Sequence, residues 1–360
     1  MVGRDIKAGV IEGFFGKDWG WSARLSGIDF LSRYGYRLYV YAPKADAHLR
    51  RRWRDPLPAE VVERLRELGG RCRDRGVSFG VGLTPFEIYL NYDTAARIAL
   101  ESKVLQINEA GVDTLCILFD DMRGDVEGLA NLQARVIEDI CGWSDAENFI
   151  VCPTYYSYDA RLAREFGPPP KTYLGDFGRL VDQRIDFFWT GEKVISHGYS
   201  AKHLAEVAGD IRRKPFIWDN HSSNDSKIRT NHLYLDPKDW SLAAEYAAGL
   251  AVNPMNQPHL SRIALAGYRP LLTAGAGQAA GAGQSQSFTA ICRDLCGAAL
   301  AARVIADAEL FRSTRLDDLD RAVRARLLES YEAESGNPYA EEIAAWLRGE
   351  YVFDPQCLTS

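Results

Sequence analysis

The stretch TLCILFDDM, residues 114–122, is a run of apolar residues that ends in two adjacent carboxylates, Asp120 and Asp121. Bulky and β-branched side chains fill the run without polar alternation, which predicts a strand buried on both faces, as in a parallel sheet covered by helices. Two ionised carboxylates at the end of such a strand repel each other, so the pKa of one of them rises. Taken alone, the pair also fits a solvated strand-to-loop junction or a helix N-cap; the rest of the chain favours a site that combines an acid and an anion.

Short apolar runs alternate with amphipathic segments over the first part of the chain. The predicted strands are residues 7–14, 37–42, 78–83, 114–120, 148–153, 186–190, 215–219 and 249–253. The predicted helices are residues 22–34, 58–75, 94–110, 126–142, 174–182, 200–213, 239–248 and 260–272. Eight strand–helix units in about 270 residues predict an α/β protein with a (β/α)8 TIM barrel. An open doubly wound sheet is the alternative, although no GxGxxG follows the first strand.

A segment rich in Gly, Ala and Gln separates the barrel from the remainder of the chain. Residues 274–285 read AGAGQAAGAGQS, a composition typical of flexible linkers. Residues 288–348 then show only helical spacing of apolar residues. We therefore predict a catalytic barrel over residues 1–273, a linker over 274–287 and a helical C-terminal region over 288–360. We expect that region to serve in packing or oligomerisation, with a homodimer as one possibility.

Composition and charge restrict the class of protein. The 360 residues carry a formal net charge of −6, which argues against nucleic-acid binding. The basic cluster at residues 50–54 is followed by an aspartate and predicts a solvated face or an internal ion pair. Seven scattered cysteines without a CxxC motif indicate a reducing compartment. With no apolar run of 18 residues and no secretory leader, we expect a cytoplasmic protein with no membrane partner.

Polar residues are concentrated where the predicted strands end, and in a TIM barrel the chemistry lies at the C-terminal ends of the strands. Such residues follow six of the strands, in residues 12–16, 41–44, 120–121, 152–156, 218–220 and 253–254. Any one of these could be a cap or a turn. Together they predict a functional site at the mouth of the barrel.

The adjacency of Asp120 and Asp121 bears on the kind of chemistry. Retaining glycosidases usually place two carboxyl groups about 5 Å apart on facing sides of the sugar, which adjacent residues fit poorly. The pair fits substrate-assisted hydrolysis better, in which the 2-acetamido oxygen of the sugar attacks C1. One carboxylate then holds the acetamido N–H while the other protonates the leaving oxygen. At a strand end the second residue has left the pleat, so both side chains can face one cleft.

The strings GVIEGFFG at residues 9–16 and YAPK at 41–44 resemble the catalytic domain of glycoside hydrolase family 84. That family contains the protein O-GlcNAcases and bacterial β-N-acetylglucosaminidases. Further matches follow in the same order, at LFDD (118–121), CPTYY (152–156), WTG (189–191), IWDN (217–220) and NP (253–254). The resemblance extends over roughly residues 7–270. It implies a TIM barrel and a retaining, O-GlcNAcase-like enzyme that acts through an oxazoline intermediate, with neither cofactor nor metal.

The resemblance also implies three catalytic residues. Asp120 would orient and polarise the acetamido group, and Asp121 would act first as general acid and then as general base. Tyr156 would donate a hydrogen bond to the acetamido oxygen. The implied substrate carries a terminal β-linked GlcNAc, on a glycoprotein, a glycopeptide or an oligosaccharide.

Six further residues would bind the sugar according to the same resemblance. Trp218 would form a wall around the acetyl methyl group, and Asn220 would support Asp120 and the acetamido group. The sugar hydroxyls would be held by the backbone carbonyl of Gly13 and by the side chains of Lys44, Asp225 and Asn253.

Two other functions remain open at the level of sequence. A metal-dependent hydrolase could use Asp120 and Asp121 as ligands, because Mg²⁺ needs only one or two carboxylates. The six histidines, however, form no HxH or HExxH motif. A non-catalytic module that binds GlcNAc is the second alternative, although it would be expected to lack the acid Asp121.

Overall fold

The computed structural model describes residues 7–236, 243–268 and 287–359. Within these ranges, eight parallel strands form a closed barrel in chain order, and the last pairs with the first. The strands are β1 (Lys7–Ile11), β2 (Leu38–Tyr41), β3 (Ser78–Leu83), β4 (Thr114–Leu118), β5 (Asn148–Cys152), β6 (Asp186–Trp189), β7 (Phe216–Asp219) and β8 (Gly249–Val252). The predicted TIM barrel is confirmed, and the closed ring excludes the doubly wound sheet. Most strands end one to three residues earlier than predicted, where the chain turns towards the mouth.

Helices follow the strands and cover the outside of the barrel. They are α1 (Trp21–Arg33), α2 (Ala59–Asp74), α3 (Thr94–Asn108), α4 (Leu129–Trp143), α5 (Ala160–Phe166), α6 (Tyr173–Leu180), α7 (Ala201–Ile211), α8 (Ala243–Tyr246) and α9 (Pro258–Ala266). No helix was predicted at α5. Residues 239–242, which begin one predicted helix, and residues 269–272, which end another, lie outside the described residues. None of the helices in the described part of the chain is both long and apolar enough to cross a bilayer.

The barrel strands are buried on both faces, as the composition of residues 114–118 predicts. Every residue of β4 is buried. On the outside, α2 presents Val62, Leu65 and Leu68 to the sheet, and all three side chains are buried. Each Å² of apolar area buried contributes roughly 25 cal/mol to the free energy of folding. The barrel is therefore a stable support for the residues at its mouth.

Four helices follow residue 287: α10 (Phe288–Cys296), α11 (Ala298–Ser313), α12 (Arg321–Glu332) and α13 (Pro338–Arg348). The buried carboxylate of Glu342 in α13 accepts hydrogen bonds from the backbone N–H groups of His259 and Leu260, at 2.9 and 2.8 Å. These are orphan donors in the first turn of α9, so the contact caps that helix. The indole of Trp346 donates to the backbone carbonyl of Thr230 at 3.1 Å. The C-terminal helices therefore pack directly on the barrel.

The expected domain boundaries are only partly visible in the structure. The predicted linker lies outside the described residues up to residue 286, so its boundary stays a prediction. The last helix ends at Arg348, which is also the end of the segment with helical spacing, residues 288–348. Gly349 ends α13 in the left-handed conformation, at φ 79°, and the chain then runs in turns and extended backbone. Glycine adopts this conformation without a Cβ clash, which is why the helix stops there.

Candidate active site

A cavity lies at the C-terminal ends of the strands. Eight of the nine residues predicted to form the site line it: Gly13, Asp120, Asp121, Tyr156, Trp218, Asn220, Asp225 and Asn253. The ninth, Lys44, is buried beside it and contacts Asp120. The structure thus brings together side chains that the sequence spreads over 240 residues.

The two carboxylates share this cavity because of the backbone at Asp121. Its φ is 53°, in the left-handed region that residues other than glycine rarely adopt. The reversal takes Asp121 out of the strand pleat, so its side chain turns to the same side as that of Asp120. Such a conformation costs on the order of 1–3 kcal/mol and is concentrated at functional sites.

One carboxylate oxygen of Asp120 accepts a hydrogen bond, and the other accepts none from the described residues. Its Oδ2 accepts a hydrogen bond from Lys44 Nζ at 2.5 Å, and both side chains are buried. Its Oδ1 is buried and, among the described residues, has no hydrogen-bond partner. A buried acceptor without a donor costs free energy. Asp120 is therefore paired with Lys44 through one oxygen, and its other oxygen can accept an N–H from a bound molecule.

Asp121 is held in a different state from its neighbour. Burial and the negative charge of Asp120 raise the pKa of Asp121 to about 6, although Lys44, Arg50 and a hydrogen bond from Tyr156 oppose the rise. Tyr156 donates that bond to Oδ1 at 2.9 Å. Burial, reinforced by the two aspartates, raises the pKa of Tyr156 far above its usual value, so its hydroxyl stays a donor. The two carboxyls thus have the divergent environments that an acid and an anion require.

Trp218 is fixed by an amide network at the end of β7. Its Nε1 donates to Asn220 Oδ1 at 2.9 Å, and the same oxygen accepts from Asn253 Nδ2 at 2.9 Å. The amide nitrogen of Asn220 donates to the carbonyl of Val194 at 2.9 Å. One N–H of the Asn220 amide is thus engaged with Val194 while Lys44 contacts Asp120, and the support of Asp120 that the resemblance implied for Asn220 stays a prediction. Asn220 orients Trp218 and Asn253.

Asp225 ties two loops of the barrel mouth together. Its Oδ2 accepts from the backbone N–H of Phe15, at 2.9 Å, and its Oδ1 from the Ser223 hydroxyl, at 2.8 Å. The loop after β7 is thereby joined to the loop after β1. Each carboxylate oxygen has two lone pairs, so Asp225 can still accept hydrogen bonds from a molecule in the cavity.

Several residues around the cavity were missed by the sequence analysis. Arg50, from the basic cluster expected to be solvated or ion-paired, is 2% exposed, and its positive charge lowers the pKa of Asp121. Arg52, by contrast, is exposed and pairs with Asp55 at 2.7 Å, as expected. Because three other arginines follow Arg50 closely in the sequence, residue type alone did not indicate that Arg50 is buried. Cys357 and Thr359 also line the cavity, and nothing in their sequence context places them there.

The donor groups around Asp120 bear on the metal alternative. The residues that the structure describes contain no group of three His, Cys, Asp or Glu side chains able to hold a metal ion. Lys44 supplies at Asp120 the positive charge that a cation would supply in a metal-dependent hydrolase. The contacts of Asp120 are therefore those of an ion-paired anion.

This chain is similar to a family of known proteins, to two curated relatives and to a solved structure. The family model described as beta-N-acetylglucosaminidase matches residues 8–305. The protein O-GlcNAcases of Mus musculus and Rattus norvegicus are each 28% identical over 244 residues, which is 65% of this chain and 26% of theirs. The chain thus spans about a quarter of the length of these relatives. A mutant of the Thermobaculum terrenum O-GlcNAc hydrolase is similar in structure, with a TM-score of 0.72 and 25% identity over 95% of this chain and 74% of that one.

Gly13 gives a test of the cavity geometry. A Cβ at this position would lie 2.1 Å from Cζ2 of Trp218, so the ring and the backbone cannot both stay in place. We expect Gly13→Ala to lower the free energy of unfolding by about 1–3 kcal/mol, the usual cost of overpacking. Gly27→Ala is the control, because its Cβ would meet nothing within 4 Å inside a helix and should leave stability unchanged or raised. Urea denaturation measures both; equal stabilities would contradict the packing of Trp218 on Gly13.

Proposed function

Because this chain belongs to the beta-N-acetylglucosaminidase family, we propose that it is a retaining glycoside hydrolase that removes terminal β-linked GlcNAc by substrate-assisted catalysis. One observation carries the proposal. Asp120 and Asp121 face one cavity in different environments. Asp120 is ion-paired with Lys44 and has one oxygen without a hydrogen-bond partner among the described residues, whereas the pKa of Asp121 is raised. These are the states that acetamido participation demands of two carboxyl groups.

In the first step, the acetamido oxygen of the substrate attacks C1 and the bond from C1 to the leaving oxygen breaks. Asp121, protonated, gives its proton to the leaving oxygen. Asp120 Oδ1 accepts the acetamido N–H and stabilises the positive charge that develops on the oxazoline. Tyr156, held beside Asp121 at 2.9 Å, reaches the acetamido oxygen and positions it for attack. A preorganised anion at the developing charge is worth more in a water-poor site than in solution.

In the second step, Asp121 is a carboxylate and takes a proton from water while the water oxygen attacks C1. The oxazoline opens and the acetamido group is restored. Two successive displacements on C1 leave the anomeric configuration as it was. The same residue thus serves as acid and then as base, for which a pKa close to neutrality is suited.

Sugar recognition falls to the remaining residues of the cavity. Trp218, placed by Asn220, walls the acetyl methyl group, and the backbone carbonyl of Gly13 accepts from a sugar hydroxyl. Asp225 and Asn253 offer further hydrogen-bonding groups to the hydroxyls, and Lys44 acts there as well as on Asp120. Buried polar groups left unpaired by a wrong sugar give strong discrimination.

The substrate we propose is a β-GlcNAc-bearing glycoprotein, glycopeptide or oligosaccharide. All seven cysteines are free, which supports a reducing compartment such as the cytoplasm. A homodimer formed through α10–α13 stays a prediction, which sedimentation equilibrium can check.

The decisive experiment is turnover of 4-nitrophenyl β-GlcNAc by the purified chain, with and without EDTA. We expect hydrolysis that is insensitive to EDTA. A folded protein that binds GlcNAc without turning the glycoside over would be the non-catalytic module, and loss of activity in EDTA would indicate the metal-dependent hydrolase.

Substrate participation predicts a steep response to fluorination of the N-acetyl group. Each fluorine withdraws electron density from the acetamido oxygen and weakens it as the nucleophile. In a series of 4-nitrophenyl glycosides that bear acetyl, fluoroacetyl, difluoroacetyl and trifluoroacetyl groups, kcat/KM should fall at every step. A flat series would return the reaction to an ordinary enzymatic nucleophile.

The two aspartates should respond differently to the leaving group. Asp121→Ala should impair an alkyl glycoside far more than an activated aryl glycoside, because general acid catalysis contributes about 10²–10⁴-fold only where protonation is needed. Asp120→Ala should impair both alike, since charge develops on the acetamido group whatever departs. The exposed Asp125→Ala, outside the cavity, is the control. Equal losses for Asp120→Ala and Asp121→Ala on every substrate would contradict the assigned roles.

The pH profile of kcat/KM should be bell-shaped, with its alkaline limb set by Asp121. Since the acid must be protonated and its pKa is raised to about 6, activity should decline as the pH rises through that region. Asp120→Asn removes the charge that raises this pKa, so residual activity should lose its alkaline limb at a lower pH. Arg50→Gln removes a charge that lowers it, so the limb should move to a higher pH. Limbs that do not move in opposite directions would show that another group titrates there.

A further inference from the structure

Residues 349–359, here called the C-terminal strap, run from the end of α13 over the mouth of the barrel. Near its start, Glu350 pairs with Lys17 at 3.4 Å, and Lys17 also lies over the ring of Tyr351, 4.7 Å from its centroid. Lys17 belongs to the loop after β1. The strap therefore begins on the β1 side of the mouth.

Two further contacts fix the rest of the strap. Gln356 Oε1 accepts from Arg51 Nε at 2.7 Å and from Arg50 Nη1 at 3.3 Å, both in the segment after β2. Arg161, in α5 after β5, donates from Nη1 to the carbonyl of Thr359 at 2.5 Å. In a closed ring of eight strands, β1 and β5 are opposite each other. A chain held at both of them has to cross the mouth.

The far part of the strap reaches the catalytic groups. Cys357 and Thr359 line the cavity and are 6% and 8% exposed. Burial and the charges of Asp225 and Asp121 raise the pKa of the Cys357 thiol, and the side chain of Thr359 lies beside the Tyr156 hydroxyl. Thr359 is therefore on the side of the cavity where Asp121 and Tyr156 meet, and Cys357 is close to both Asp225 and Asp121.

That side is where the leaving group has to be. Under the proposed function, on which this inference rests, Asp121 protonates the glycosidic oxygen, so the group attached to that oxygen lies against Asp121. We propose that the strap is the specificity-determining wall of the leaving-group side. Closed, it admits GlcNAc on small leaving groups and keeps out GlcNAc carried on the surface of a folded protein. Such a substrate is cleaved when the strap swings away.

Variants that release the strap without touching the cavity test this proposal. Arg161→Ala removes the contact at the β5 side, and Gln356→Ala removes the contact at the β2 side. Arg164→Ala is the matched control, because it makes the same charge change on the same helix at an exposed position. The measured quantity is the ratio of kcat/KM for a folded, GlcNAc-modified protein to kcat/KM for 4-nitrophenyl β-GlcNAc.

We expect each release variant to raise the ratio by about tenfold, since a hydrogen bond to a charged group contributes at least about 1.4 kcal/mol to the closed state. The ratio in Arg164→Ala should equal that of the wild type. A ratio that stays constant or falls in both release variants would overturn the proposal, because the strap would then not limit access. Parallel loss on both substrates would do the same, by making the strap a structural part of the site.

Labelling of Cys357 gives a second readout that does not depend on turnover. A thiol-reactive probe should modify Cys357 faster in Arg161→Ala and Gln356→Ala than in the wild type or Arg164→Ala, as followed by mass spectrometry of the labelled peptide. Equal rates would contradict strap release.

If the wild-type protein hydrolyses neither glycoside, the proposed function fails, and the specificity role falls with it. If it hydrolyses the aryl glycoside and the ratio does not change, only the strap proposal fails.

Discussion

Two carboxylates buried side by side need a counter-charge, and the 2.5 Å contact between Lys44 and Asp120 supplies it. An uncompensated buried charge costs several kcal/mol, so the Asp120–Asp121 pair could not be built into the barrel mouth without that partner. Lys44 follows β2 and the aspartates follow β4, and pairing of both strands with β3 brings the two strand ends to the same part of the mouth. Lys44 also opposes the rise in the pKa of Asp121 that burial and the charge of Asp120 cause.

The strand ends that carry the site are held by buried polar networks behind them. Asp219, at the end of β7, accepts hydrogen bonds from the hydroxyls of Tyr199 and Tyr268, each at 3.0 Å. Glu12, just after β1, forms a buried ion pair with Arg24 at 2.9 Å. Buried networks of this kind are stabilising only when every member is satisfied, and they then allow a single geometry. Catalytic groups need that precision, because small displacements of a reacting group cost much of the rate.

The C-terminal helices contribute to the site from outside the barrel. Glu342 fastens α13 to the start of α9, and the chain that leaves α13 becomes the strap. The position of Cys357 and Thr359 against the catalytic cavity thus depends on how α13 is docked. Packing of a helical region can in this way influence which leaving groups enter a site whose chemistry lies wholly on the barrel.

The sequence by itself determined the barrel and most of the site. Strand burial, strand–helix alternation and the position of polar residues at strand ends are local patterns, and they singled out Asp120 and Asp121. The resemblance to glycoside hydrolase family 84 added residues such as Trp218, which lines the same cavity. No helix was predicted at α5, a seven-residue helix with only two buried apolar side chains, Leu162 and Phe166, too few to form a periodic pattern.

Only the tertiary structure decided how those residues are used. The pairing of Asp120 with Lys44 and the hydrogen bond from Asn253 to Asn220 join the ends of different strands. The left-handed backbone at Asp121 is likewise seen only in the structure. The contact of Gln356 with Arg51 joins residues 305 positions apart in the chain. Such contacts depend on the three-dimensional path of the backbone, for which hydrophobic periodicity and residue type carry no information.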